Sequence, residues 1–288
     1  AAVTVTVAAG DPVASWQAGP EQSVNEVRAS DAGTALLVVR DGAGTTSLVR
    51  LAPGDDATEI LSTDAYPAVA LAPDGGTAVV AVGPAIAVHD TTDGAERWAT
   101  EVGDDTGETA LVGFSGDGAR IVAGYGARAV VLDAGDGEPI GPGVDDETRR
   151  LSGVGLDATG ARMAVSRFDT REAISLDVVD VASGDLRTGY AVEDDLGTLA
   201  FSGEVVVAGG VDTYLYRAGG DRDEAPLLRA SGSVLGWTGG AGRVLTRPLS
   251  GVARWTCESC APGEELRALA DTRVTRHLTA PEQQAYGL

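Results

Sequence analysis

The chain contains no lysine, so all 21 of its cationic side chains are arginine, set against 43 Asp and Glu for a formal net charge of −22. A field of that sign repels phosphate backbones and anionic headgroups. Nucleic acid and an acidic membrane surface are therefore poor general partners, and no basic patch interrupts the pattern. Without lysine there is also no glycine loop followed by the lysine that cradles nucleotide phosphates. The acidity maintains solubility, or reflects a salt-rich setting or genomic base composition; composition does not choose among these. A run of about eighteen apolar residues, the length that spans a bilayer, is absent. The opening AAVTVTVAAG has neither a Met nor a charged leader. It reads as the start of a soluble portion cut from a longer polypeptide.

Metal-binding and redox side chains are scarce. The two cysteines, Cys257 and Cys260, form a single CxxC, and the two imidazoles are His89 and His277. A closed structural zinc site needs four such ligands, so no metal is expected. A thioredoxin-like redox pair belongs to a different fold context. A local disulfide, or two packed thiols pinning the tail, is the remaining reading. No cofactor is expected.

What the chain has in quantity is glycine, 40 residues of it, and the glycine is periodic. Gly33, Gly75, Gly118, Gly160 and Gly203 recur every 42 or 43 residues, each closing a short turn between apolar runs: ASDAG, LAPDG, FSGDG, LDATG and FSG. Glycine tolerates positive φ, and a preceding Asp hydrogen-bonds its own backbone, so these are hairpin turns. Hairpins repeated at that spacing indicate a β-propeller, one repeat per blade.

Residues 68–102 are the clearest copy: AVALAPDG, TAVVAVG, AIAVHDTTDG and AERWATEV read as four strands with two glycine turns. The same grammar is seen in 25–62, 111–144 and 151–192, in a shorter copy at 196–230, and in a start at 232–257 whose outer strand is unclear. An N-terminal TVTVAAGDPVASWQAG reads as two outer strands. Six copies plus a fragment predict a propeller of four-stranded antiparallel blades, seven-bladed, with six as the alternative. The propeller would span 1–260. Residues 261–288 read as a short helical tail: Leu266, Leu269, Val274 and Leu278 have roughly helical spacing, and Pro262, Glu264 and Glu265 suit a helix start.

Candidate chemistry is sparse. Asp55-Asp56, Asp104-Asp105, Asp145-Asp146 and Asp194-Asp195 are paired carboxylates, but none has calcium-loop spacing, and they read as solvated charge between blades. Ser115 in GFSGDG lacks the frame of a hydrolase nucleophile. His89 reads as packing between blades. Trp237 and Arg247, near the ends of inner strands, are residue types that anchor protein partners and are the binding candidates.

The repeats resemble the WD40 family. LAPDG with HDTTDG and FSGDG with LDAGDG match its two turns, and LDATG with VDVASG matches more loosely. The tryptophan of the WD pair is replaced by His89 beside Asp90, Leu132 beside Asp133 and Val179 beside Asp180; Trp255 keeps the aromatic but precedes Thr256. The ending, from Trp255 through Cys257 and Cys260 to EELRALADTRVTRHLTAPEQQAYG, resembles that of large actinobacterial regulatory proteins, often STAND-type ATPases. The resemblance implies a cytoplasmic, non-catalytic sensor or scaffold that recognises a protein partner or restrains an upstream effector domain. The alternative is a small-ligand or metal-binding propeller, or an enzyme, working at the central channel.

Overall fold

The computed structural model describes residues 2–6, 12–30, 32–103, 108–169, 174–192, 196–220, 225–238, 243–247 and 253–256, with backbone alone for those before 16 and after 233. Among the described residues every regular element is a strand, and every pairing is antiparallel. Strands β1 (Ala2–Thr6) and β2 (Pro12–Gln17) form a two-stranded sheet. Blade 1 is β3 (Ser23–Ala29), β4 (Ala35–Arg40), β5 (Thr46–Leu51) and β6 (Thr58–Thr63). Blade 2 is β7 (Ala68–Leu71), β8 (Thr77–Val82), β9 (Ala85–Asp90) and β10 (Glu96–Glu101). Blade 3 is β11 (Leu111–Phe114), β12 (Arg120–Tyr125), β13 (Arg128–Asp133) and β14 (Pro139–Asp145). Blade 4 is β15 (Arg150–Leu156), β16 (Arg162–Phe168), β17 (Ile174–Asp180) and β18 (Leu186–Val192). Blade 5 is β19 (Thr198–Ser202), β20 (Val205–Gly209), β21 (Asp212–Arg217) and β22 (Leu228–Ser231). Strands β23 (Ser233–Thr238), β24 (Arg243–Arg247) and β25 (Ala253–Thr256) form a three-stranded sheet.

The propeller therefore has five four-stranded blades, which corrects the expectation of seven, or six. The reason is local. The copy at 232–257 yields three strands, and no fourth strand follows β25 among the described residues. The N-terminal strands pair with each other, and Trp16 of β2 packs against the Ala35, Leu37, Val39, Val49 and Leu51 cluster on the outer face of blade 1. The expected tail 261–288 and the two cysteines lie outside the described residues.

Burial follows from the ring. Second and third strands are covered on both faces, so β8 and β12 are nearly all buried and rich in Val, Ile and Ala. Fourth strands are half-exposed, as in β10. Alternation sends successive side chains of one strand to opposite neighbours. Thus Val130 and Leu132 of β13 join Ile86 and Val88 of blade 2, whereas Ala129 and Val131 join Met163 and Val165 of blade 4. Each joint between blades has its own apolar cluster.

One face of the ring carries the glycine turns. The Gly75, Gly118 and Gly160 amides donate to the Ala72, Ser115 and Asp157 carbonyls at 2.8, 2.9 and 3.1 Å. At the turns from third to fourth strand, Gly94, Gly137 and Gly184 donate to the Asp90, Asp133 and Asp180 carbonyls at 2.9, 3.0 and 2.8 Å. The same aspartates accept on Oδ1 from the amides of Thr92, Gly135 and Ala182 at 2.8, 2.8 and 3.1 Å. The two turns of a blade are stitched together by Thr91 N to Gly76 O, Ala134 N to Ala119 O and Val181 N to Ala161 O, at 3.1, 3.0 and 2.9 Å. The aspartate of each degenerate pair thus caps its own turn and needs neither tryptophan nor histidine to do so.

Candidate functional site

The opposite face carries the loops between second and third strands and the connections between blades. One concave feature opens there, and a second runs up to it from the turn face.

The first is the mouth of the central channel, about 360 Å³, where the inner strands of consecutive blades converge. Its lining includes Glu26, Arg28, Tyr66, Glu108, Leu111 and Val154. Tyr66 stands on the connection into β7 and is 49% exposed; Val27 and Val82 nearby are 46% and 38% exposed. Partial burial, with Glu26 adding to it, raises the pKa of the Tyr66 phenol above its ordinary value, so it is a neutral donor at physiological pH. Glu26 pairs with Arg28, and Glu108 with Arg150, so charge at this mouth is locally balanced. The Glu108 amide donates to Tyr125 Oη at 3.1 Å, fixing the loop on the sealed joint between blades 2 and 3.

The second is a groove of about 710 Å³ between β14 and blade 4. It runs from Gly184 and Leu186 to Arg149, Arg167 and Asp169. Asp146 anchors its upper end. It accepts from Thr148 Oγ1 at 2.6 Å, from Thr148 N at 3.1 Å, from Arg149 Nε at 2.7 Å and from Arg167 Nη1 at 3.4 Å. The Thr148 hydroxyl, with the Arg149 guanidinium, holds its carboxyl well below the usual carboxylate range.

The expected binding residues Trp237 and Arg247 are described by their backbone alone. On the β23–β24 hairpin, Trp237 opposes Val244 near the turn and Arg247 opposes Ser233 at the other end. The backbone therefore separates the two. Asp104, Asp105, Asp194, Asp195, Cys257, Cys260 and His277 lie outside the described residues. His89 is buried at 6% exposure with Nδ1 3.1 Å from the Gly94 carbonyl. Ser115 is sealed in its turn, its Oγ bonded to Asp117 Oδ1 at 2.6 Å and to the Arg120 amide at 3.0 Å. The expectation of solvated loop charge fails for Asp146, which is engaged by two arginines, whereas Asp145 is exposed. Tyr66, Glu108, Arg167 and Asp177 were not legible as site residues: Tyr66 and Glu108 lie on the connections just before β7 and β11, and Arg167 and Asp177 lie within β16 and β17, where only the strand register places them.

Among the described residues no group of three or more His, Cys, Asp and Glu could hold a metal, and no helix is long and apolar enough to cross a membrane.

No family model matches the chain, and no curated protein matches it. Solved structures do. A chain of a structure described as a mitotic checkpoint complex aligns with TM-score 0.65 at 12% identity, covering 91% of this chain and 81% of that one. The C-terminal WD40 domain of Sif2 aligns with TM-score 0.57 at 11% identity, covering 83% and 71%. At such identities the likeness concerns the fold. Nothing in these comparisons is specific to actinobacterial STAND-type proteins, so that finer resemblance is unsupported. The chain has a β-propeller fold, similar in architecture to the C-terminal WD40 domain of Sif2.

Proposed function

We propose that this propeller is a non-catalytic recognition module that presents the channel mouth to a protein partner. The observation that carries the reading is the half-exposed Tyr66 ring at a shallow opening between the inner strands, with Val27 and Val82 exposed next to lining residues of β3 and β8. An aromatic with a polar tip, set on a stiff scaffold and surrounded by balanced charge pairs, is a low-entropy anchor for a partner's apolar side chain. The fold supports the reading, since propeller loops vary without disturbing the core. The two turns that hold each blade are on the opposite face, so loop-face contacts do not strain them.

A place in a larger cytoplasmic signalling or defence polypeptide, whose effector domain would be the partner, is the finer form of this proposal. Trp237 and Arg247 are retained as candidate anchors on the last sheet, and a Cys257–Cys260 disulfide as a clasp for the tail. The test is site-specific photocrosslinking. A crosslinking amino acid replacing Tyr66 should capture a protein that the same group replacing Glu96, on the outer strand of blade 2, does not. Tyr66→Ala should then weaken binding of that purified protein. Equal capture at both positions would defeat the reading.

A further inference from the structure

Blades 3 and 4 align residue for residue across their second and third strands. Arg120 corresponds to Arg162, Tyr125 to Arg167, Val130 to Asp177 and Asp133 to Asp180, and the strand pairings agree: Tyr125 opposes Arg128 as Arg167 opposes Ser175, and Ala123 opposes Val130 as Val165 opposes Asp177. Tyr125 and Val130 face blade 2 and close that joint as apolar, buried side chains. Arg167 and Asp177 occupy the same two positions facing blade 3. They are equally buried, at 8% and 7% exposure, but charged. The joint between blades 3 and 4 is apolar only in its lower part and opens above into the polar groove.

This departure from the repeat is costly, because buried charge is tolerated only when well paired. Asp177 is poorly paired. Its Oδ2 accepts from Ser175 Oγ at 3.4 Å and lies 3.7 Å from Arg167 Nη1, while Oδ1 has no hydrogen-bond partner among the described residues. The groove walls carry Asp145, Asp169 and Asp177, with Asp146 just behind, against Arg149 and Arg167. Both arginines reach Asp146, Arg167 through Nη1 while its buried Nε has no partner, and among the described residues the carboxylates of Asp145, Asp146 and Asp177 outnumber them by one. At the other end Leu186 is 62% exposed and lines the same groove. The carboxylate lies close against the Gly189 backbone, where an added Cβ would stand 2.7 Å from Asp177 Oδ1.

We infer that this groove binds an extended peptide segment of a partner protein that carries a guanidinium or ammonium group for Asp177 and an aliphatic side chain for Leu186. The occupant is chosen by charge complementarity and by the apolar end of the groove. This surface is separate from the channel mouth, and the inference stands or falls independently of that reading.

The test uses the whole chain and a short fluorescein-labelled peptide of alternating leucine and arginine, followed by anisotropy at physiological salt, with a leucine–glutamate peptide as control. The arginine peptide should bind and the glutamate peptide should not. Asp177→Asn should weaken binding about tenfold or more, the size of a lost buried charge contact, and Leu186→Ser should weaken it too. Glu96→Gln should leave it unchanged. Asp177→Val, which restores the residue type of blade 3, should abolish binding while keeping or raising Tm, so that loss of binding is not loss of fold. No binding by the wild-type chain, full binding by Asp177→Asn, or an equal loss in Glu96→Gln would each overturn the inference.

Discussion

The indole of Trp98 lies directly beneath Gly137: a Cβ on that glycine would stand 2.7 Å from ring atom Cε3, and the indole Nε1 donates to the Ala134 carbonyl at 3.0 Å. The outer strand of blade 2 is thereby docked under the last turn of blade 3. The same arrangement recurs with other partners, Gly94 against the Ile60 carbonyl and Gly184 against Pro142. The blades are thus joined by close approach at glycine, in addition to the apolar clusters between them.

Gly137→Ala combines a φ of +78° with this contact. It should cost about 2 kcal/mol or more of stability. Trp98→Phe keeps an aromatic ring but loses the larger indole and its donor, and should cost about 1 kcal/mol or more. Urea denaturation of both variants checks the order.

Arg162 ties blade 4 to blade 5. Its guanidinium donates to Asp157 Oδ2 at 2.9 Å, to Glu204 Oε2 at 2.7 Å and to the Gly203 carbonyl at 3.0 Å, and it lies 5.5 Å from the Phe201 ring centre. Arg120 makes the matching reach from blade 3 to the Gly160 carbonyl at 2.9 Å. Arg162→Met leaves the buried Asp157 carboxylate without its cation and should cost about 3 kcal/mol. Adding Asp157→Asn should recover much of that loss, because the uncompensated charge is then gone. Thermal melts of the two variants test this.

Stability should fall in acid. Burial pushes the Asp157 carboxyl up, but hydrogen bonds from Arg162 and backbone amides outweigh it, and the net pKa is lowered. Asp146 is lowered by Thr148 and Arg149, Asp117 by Ser115, and Asp90 by Arg97. A group whose folded pKa is depressed contributes stability that is complete above its unfolded value, near 4, and is lost as pH falls through the folded value. Tm should be flat from about pH 7 to 5 and drop below about pH 4. In Asp146→Asn the drop should be smaller. An equal drop in that variant would show that Asp146 does not contribute.

The blades were legible in the sequence because their turns are local. Asp90 and Gly94, or Asp133 and Gly137, need only each other and the chain between them, so their spacing survives in one dimension. The blade count was not legible. A blade exists only when a fourth strand finds the edge of the third, and the copy after Ser231 looks like its neighbours until β25. The site was less legible still. Arg167 and Asp177 look like ordinary strand charges until the register sets them on Tyr125 and Val130, and Tyr66 gains meaning only where the inner strands converge. Trp237 and Arg247 stood out by residue type, but the hairpin register sets them at opposite ends.

Hydrogen–deuterium exchange on the chain with and without the protein captured at position 66 tests the central claim most directly. Recognition at the channel mouth predicts added protection confined to the connections at 64–67, 83–84 and 108–110, with the glycine turns at 72–76 and 115–120 unchanged. Protection on the turn face, or none on the loop face, would contradict it.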